Sequence, residues 1–352
     1  MSETSKVSVI IPAYNSEQHI GRLLDSLAKQ TYRNFEVVLV DDCSTDNTFE
    51  VAKKFMEENK INYRALKLSR NLGESCARNE GLKLAKGRYV CLVDHDDALK
   101  PTYLEKLVNK ADKENLDMVF CGFYEIDAND RSVISRYDER FDYITGVING
   151  IDCFKKNIKD EILVMIWATL FSKELIDRLQ LRFPPFVKVF GDAEFVYKAF
   201  LESERVSSVP ELLYCYYRHS RQTTRQKWHD KLEYCFSVGL SLKMMKYIRE
   251  KGYDEELITL LERYYTSRQA LKMLSNFILQ GNDDTYWKAL QNPKIREMLR
   301  YSYPTFFDKP EVPFKAFLAL HFPKIFYRRY VKQREKNLKK HQQEICYFQE
   351  RQ

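Results

Sequence analysis

Three carboxylates and one imidazole, Asp94-His95-Asp96-Asp97, follow directly on the apolar run Tyr89-Val90-Cys91-Leu92-Val93. Charge at the end of a buried strand is costly to desolvate unless a cation shares the site. Carboxylate oxygens suit Mg²⁺ or Mn²⁺, ions commonly held by one or two carboxylates together with substrate phosphates. The same residues also fit a solvated loop in which Asp97 caps the next helix. A second acidic turn, Asp41-Asp42-Cys43-Ser44-Thr45-Asp46, follows another apolar run. Its carboxylates can accept hydrogen bonds from a ribose or a base N–H, as acidic residues beyond strands do in nucleotide-binding sheets; Ser44, Thr45 and Asp46 can equally be ordinary caps. Arg78 carries a fork of donors matched to phosphate, and also fits an exposed helix position. Asp192 precedes the helical pattern Phe195, Val196, Ala199, Phe200, either as a general base or as an N-cap. Trp167 and the aromatics at 214–217 fit a core, although aromatic faces also stack on sugars.

The elements that must position these groups alternate along residues 7–123. Strand-like runs at 7–11, 35–40, 63–68, 89–93 and 118–123 are separated by helical patterns, the first carrying Ile20, Leu23, Leu24 and Leu27. Asn15 or Ser16 is the expected N-cap of that first helix, Gly87 the expected C-terminal cap of the third, and Pro101 opens the fourth. Such an order predicts an α/β fold with a mostly parallel sheet, helices on both faces and right-handed crossovers. The strand C-terminal ends then share one edge, where open α/β sheets bind ligands. Tyr14-Asn15, Asp41-Asp42, Arg70-Asn71 and 94–97 are therefore expected to converge. No Gly-x-Gly-x-x-Gly follows the first strand and no Walker loop is present, which excludes the usual dinucleotide and P-loop sites.

Beyond 226 the pattern is helical. The expected organisation is a domain over 1–225, a helical extension over 226–322 and a basic amphipathic tail over 323–352. The 352 residues carry a net charge of +7, and the segment 324–340, with eight basic residues and one acidic, holds a net +7 by itself. Aromatic and aliphatic residues at 314–330 interleave with that cluster. Residues 314–340 therefore suit an anionic membrane surface, or else a helix packed on the catalytic lobe with a solvated charged face. Nucleic acid is the poorer partner, because no recognition fold accompanies the charge. The longest near-continuous apolar run, 162–171, is too short to span a bilayer. Eight cysteines without Cys-x-x-Cys spacing read as reduced thiols. A cytoplasmic location follows, with peripheral attachment to the inner face of the cell membrane as a further expectation.

Together, Val7-Ser-Val-Ile-Ile-Pro-Ala-Tyr-Asn15, Val40-Asp-Asp-Cys-Ser-Thr-Asp46, Asn71-Leu-Gly73 with Ala77-Arg-Asn79, and Val93-Asp-His-Asp-Asp97 resemble the family 2 glycosyltransferases of GT-A fold. Trp167, Phe190-Gly-Asp-Ala-Glu-Phe195 and Tyr216-Tyr-Arg-His219 extend the resemblance to about 225. It implies a donor-binding half over 1–115, with Pro12, Tyr14, Asn15 and Glu17 lining a uridine pocket and Asp42 receiving the uracil N–H. Arg78, Asp94 and His95 would lie against the donor. Asp96 would be the principal ligand of Mn²⁺ or Mg²⁺, with Asp94 and His219 in the metal set. Residues 116–225 would take the acceptor, with Trp167 and position 191 in contact with it. Asp192 would be the catalytic base, although Gly191 stands where the family carries a Glu.

The implied reaction is inverting single displacement from a nucleotide sugar, a UDP-sugar, onto a hydroxyl of a glycan or lipid-linked glycan. An acceptor hydroxyl barely ionises at neutral pH, so a carboxylate must take its proton, an effect worth ~10²–10⁴-fold. A divalent cation and Arg78 would stabilise the departing diphosphate. A polyprenyl-phosphate acceptor, already ionised, would need no base; a noncatalytic nucleotide-sugar-binding protein is the rival from another class. Gln222-Thr-Thr-Arg225 lacks the Trp that completes the processive motif Gln-x-x-Arg-Trp, which implies one sugar per encounter.

Overall fold

The computed structural model describes residues 6–185, 191–219 and 233–349. The chain divides into two compact units, Met1–Lys227 and Trp228–Gln352. The first runs β1 (Val7–Ala13), α1 (Ile20–Ala28), β2 (Phe35–Asp41), α2 (Thr48–Glu58), β3 (Tyr63–Lys67), α3 (Glu74–Leu84), β4 (Tyr89–Leu92), β5 (Ala98–Leu99), α4 (Tyr103–Glu114), β6 (Met118–Asp127), β7 (Val133–Arg136), α5 (Gly150–Ile158), β8 (Thr169–Ser172), α6 (Lys173–Arg178), α7 (Gly191–Glu202) and β9 (Val206–Arg218).

One sheet joins the strands in the order β3-β2-β1-β4-β8-β6-β9-β5, with β7 on β6. The pairings β1–β2, β1–β4, β2–β3 and β6–β9 are parallel. β8 lies antiparallel between β4 and β6. Two reversals restore the direction, so β1, β2, β3, β4, β6 and β9 all end on one edge. Every residue of β1 and β2 is buried, as β-branched strands covered on both faces require. α1 covers the sheet with Ile20, Leu23, Leu24 and Leu27, and α4 with Leu104, Leu107, Val108 and Ala111. Each such side chain contributes about 1.5–3 kcal/mol on burial.

Several local expectations are corrected. β6 carries the predicted strand at 118–123, and β8, drawn from the end of the apolar run 162–171, is inserted between it and β4. β9 skips Pro210 and Glu211 where its register against β6 shifts, because proline has no N–H for the ladder. The helix after β1 begins at Ile20, with neither Asn15 nor Ser16 as its cap. Gly87 does not cap α3. It lies against the backbone of Val7 and Ser8, where a Cβ would collide. Asp97 leads into β5 rather than capping a helix.

The second unit comprises α8 (Glu233–Glu250), α9 (Glu255–Leu260), a π-helical segment (Leu261–Thr266), α10 (Ser267–Leu279), α11 (Asp283–Gln291), α12 (Pro293–Arg300), α13 (Glu311–His321) and α14 (Pro323–Gln349). Its core gathers Leu274, Phe277, Ile278, Tyr286, Leu299, Ala316 and Phe326. Among the described residues no helix is long and apolar enough to cross a membrane. Cys43, Cys76, Cys91, Cys121, Cys153 and Cys215 are free thiols.

Candidate active site

The loops after β1 and β2 are tied together by side chains. Asn15, held at φ 48°, receives hydrogen bonds on Oδ1 from the Thr45 N–H (2.9 Å) and hydroxyl (3.2 Å). Its own N–H donates to Ser44 Oγ at 2.9 Å. Glu17 accepts from the backbone and side-chain nitrogens of Asn47, each at 3.1 Å. Tyr14 is exposed beside this lattice and Pro12 is buried beneath it. Asp42, 3% exposed, accepts from the N–H groups of Leu72 and Gly73 at 2.7 Å each. Burial outweighs those bonds and raises its carboxyl above the ordinary value.

The loop after β4 meets α3 and the end of β9. Arg78, buried on α3, donates to Asp94 at 2.7 Å and to Glu74 at 2.6 Å. Burial works against its charge, but Glu74, Asp94 and then Asp192 hold the guanidinium above its usual range. Asp94 moves the other way from an ordinary ion pair: burial outweighs Arg78, with Glu74 and Asp96 adding repulsion, and its carboxyl is raised to about 7. Asp96 accepts from, or shares a proton with, His219 Nε2 at 2.7 Å. Burial opposes its charge too, yet the His219 bond and the neighbouring imidazoles keep it below the usual carboxylate range. His95 Nδ1 lies 3.2 Å from the Pro12 carbonyl oxygen.

Asp192 sits in the first turn of α7, half-buried, with Oδ1 accepting from the Ala193 N–H at 2.9 Å. Burial raises its carboxyl, Arg78 and that bond partly countering. Asn79 of α3 brings the segment before α7 to this point, exchanging hydrogen bonds with the Phe183 backbone at 2.9 Å in both directions. A Cβ at Gly191 would press on Ser75 Oγ at 3.3 Å. Trp167 is 5% exposed and stacks on half-buried Tyr216, centroids 5.4 Å apart and planes within 3°. Gln222-Thr-Thr-Arg225 lies outside the described residues.

Further contacts complete this edge, with no sign in the sequence of which residues would make them. Asp97, fully buried, accepts from the Tyr214 hydroxyl at 2.7 Å and the Tyr217 N–H at 2.8 Å. Burial, with Asp96 and Asp94 nearby, pushes its carboxyl well up. His19, the N-cap of α1, stacks on His219 with centroids 5.0 Å apart, and Arg22 of α1 lies 3.9 Å from the centre of the Tyr217 ring. Two residues three apart at the start of α1 thus meet two residues two apart at the end of β9, spacings that keep side chains on one side of a helix and of an extended chain. Only the spacing 19/22 against 217/219 hints at this, and nothing in the sequence says which helix meets β9. Among the described residues, no group of three or more His, Cys, Asp or Glu side chains is arranged to hold a metal.

The sequence profile of glycosyl transferase family 2 matches residues 8–171. An uncharacterised glycosyltransferase of Bacillus subtilis, EpsJ, is 32% identical over 84% of this chain and 83% of its own length. The chain belongs to glycosyl transferase family 2. As a member of that family it is a glycosyltransferase, and Asp42, Arg78 and the residues from Asp94 to Asp97 all lie within the matched segment. The glycosyltransferase GlyA of Streptococcus pneumoniae is 31% identical over 80% of the chain, which spans only 39% of GlyA. In three dimensions the chain is similar to S. aureus TarS 1–349 in complex with UDP-GlcNAc, with a TM-score of 0.66, 22% identity and coverage of 95% of this chain and 92% of that one. The mannosyltransferase PcManGT of Pyrobaculum calidifontis, in complex with GDP-Man and Mn²⁺, gives a TM-score of 0.51 at 17% identity, covering 94% of this chain and 84% of that one. These likenesses establish a GT-A-like fold with C-terminal helices.

Proposed function

We propose that this glycosyltransferase moves a sugar from a UDP-linked donor to a hydroxyl of a glycan or lipid-linked glycan by inverting single displacement, with Asp192 as the general base. The observation that carries the reading is Arg78, bonded to Asp94 at 2.7 Å at the sheet edge, with the Asp192 carboxyl, in the first turn of α7, near enough to feel the same guanidinium. A base with a raised carboxyl, next to the cation that faces a departing diphosphate, is what attack by an alcohol needs. The donor half is assigned to 1–115, with Pro12, Tyr14, Asn15, Glu17 and Asp42 around the uridine and Arg78, Asp94 and His95 toward the diphosphate and sugar. Residues 116–225 are assigned to the acceptor, entering past Trp167–Tyr216 and Gly191. The TarS complex with UDP-GlcNAc supports a uridine donor on this fold.

The donor set also fits a divalent ion. Asp96 Oδ2 and His219 Nε2 stand 2.7 Å apart, close to the ~3 Å between neighbouring ligands of an octahedral ion with ~2.1 Å bonds. A carboxylate and an imidazole are both Mn²⁺ ligands, and the Mn²⁺ complex of PcManGT is on the same fold. Asp96 and His219 would hold the ion, with Asp94 beyond them, and bound Mn²⁺ or Mg²⁺ would supply positive charge to the leaving diphosphate. The bond between His219 Nε2 and Asp96 Oδ2 would give way to the ion, whereas Asp94 is committed to orienting Arg78.

The deciding experiment combines thermal stabilisation by a panel of nucleotide sugars, with and without Mn²⁺, with transfer assays of Asp192→Asn. A ligand at ~100 times its dissociation constant adds about 2.7 kcal/mol of stability. UDP-sugars are expected to stabilise wild type and Asp192→Asn alike while transfer collapses in the variant. Normal transfer by Asp192→Asn would eliminate the base and favour an already ionised acceptor.

A further inference from the structure

The second unit exposes apolar side chains beside its basic helix. On α13 the inward residues are Pro313, Ala316, Ala319 and Leu320, while Phe314 and Phe317, one turn apart along one border of that face, are 47% and 42% exposed. Phe322 and Ile325 continue the exposed surface at 48% and 56%. The Phe317 ring stands 4.6 Å from His321 and 6.0 Å from Phe322, centroid to centroid, so these side chains form one cluster rather than scattered exposures.

α14 then separates its residues by face. Phe326 is buried against Tyr286, and Arg334 turns inward to the Ile278 carbonyl (2.8 Å) and Asp283 (3.0 Å). Positions on the other side of the helix, at spacings of three and four from Ile325, are Arg328, Arg329, Lys332, Lys336 and Lys339, all exposed. Along ~21 Å of helix this stripe carries five cations against one acid, Glu335, and it begins where the aromatic cluster ends. The stripe lies within 324–340, whose net +7 equals the net charge of the whole chain.

We propose that this face, Phe314, Phe317, Phe322 and Ile325 followed by the α14 stripe, docks on an anionic lipid surface. The apolar cluster enters the interfacial zone while the cations lie along the headgroups. Charge complementarity selects the anionic surface. The aromatic cluster at the end of the stripe selects lipid over a soluble polyanion, which would leave those rings in water. Leu320 and Phe326, which the sequence pattern groups with the exposed residues, belong to the core and take no part.

The test is flotation of the full chain with phosphatidylcholine vesicles, with and without one quarter phosphatidylglycerol. Wild type is expected to float only with the anionic vesicles and to be released progressively by salt. Lys332→Glu/Lys336→Glu changes four charge units, each worth about fivefold near such a surface, so partitioning should fall by at least ~100-fold. Phe317→Ser/Phe322→Ser should lower binding and leave a weaker, more salt-sensitive remainder. All four side chains are exposed, so thermal melts of both variants should match wild type. The proposal is overturned if wild type ignores anionic vesicles or if both folded variants float like wild type. It is also overturned if sedimentation shows these substitutions breaking a dimer of the chain that does not bind lipid.

Discussion

The sheet edge of the first unit carries two kinds of loop. After β1 and β2, short polar side chains are consumed in holding the two loops to each other: Asn15 to Thr45, Glu17 to Asn47, Ser16 N–H to Thr48 at 2.6 Å. After β4 and β9, charged groups are buried with few partners each: Arg78 shared between Asp94 and Glu74, Asp96 on His219, Asp97 on Tyr214. The first arrangement builds a rigid wall out of hydrogen bonds, most of them between neutral groups and worth about 1 kcal/mol apiece. The second keeps carboxyls away from their ordinary pKa, which stores a response to any cation or proton that arrives.

Substitutions can break this contrast at graded strength. Asp192→Asn should lower kcat by about 10²–10⁴-fold with donor affinity retained, read by transfer rates beside donor titration. Because burial raises the Asp192 carboxyl, the base is lost to protonation at a pH above the usual Asp range. The acid limb of the wild-type kcat/KM profile should therefore lie above pH ~4 and vanish in Asp192→Asn. Asp96→Asn should abolish Mn²⁺-dependent stabilisation, measured by thermal melts with and without the ion, while the metal-free melt changes little.

Arg78→Met leaves Asp94 and Glu74 without their cation and should cost about 3 kcal/mol at pH 8. Urea melts should show a smaller loss at pH 5, where Asp94 takes up a proton. For the wild type the sign follows from linkage. The folded Asp94 carboxyl is raised to about 7, so its contribution is complete below the unfolded value near ~4 and fades as pH rises through 7. Asp94→Asn should flatten that decline. On the wall, Asn15→Ala should cost about 2 kcal/mol, two hydrogen bonds at Oδ1, again by urea melts. An accompanying rise in donor KM would show that the same amide also faces the nucleotide.

Much of the first unit was legible from periodicity. The strands that became β1 to β4 and the helices between them follow from apolar spacing, because residues covered on both faces leave no alternative to β-branched runs. The acidic turns were legible as turns for the same reason, being what interrupts those runs. Less legible was everything set by long-range pairing. Thr169–Ser172 reads as the tail of an apolar run, and only its hydrogen bonds to β4 and β6 make it the antiparallel strand between them. The sequence offered Asp97 as a helix cap, Trp167 as a ring of either role and His19 not at all.

Residue order by itself determined which side chains follow a strand, and with crossovers of one hand that placed Asp42, Asp94 and Asp96 on a common edge. It also concentrated the basic charge in 324–340. Tertiary structure alone decided which partner each charge received: that Arg78 would take Asp94, that His219 would reach Asp96 across 123 residues, and that Arg334 would turn inward while Lys332 and Lys336 stayed in water. Strand and helix periods are local and can be read along the chain. The environment of a buried charge depends on what every other element brings to the same few ångströms, and it is that environment which sets its pKa and its role.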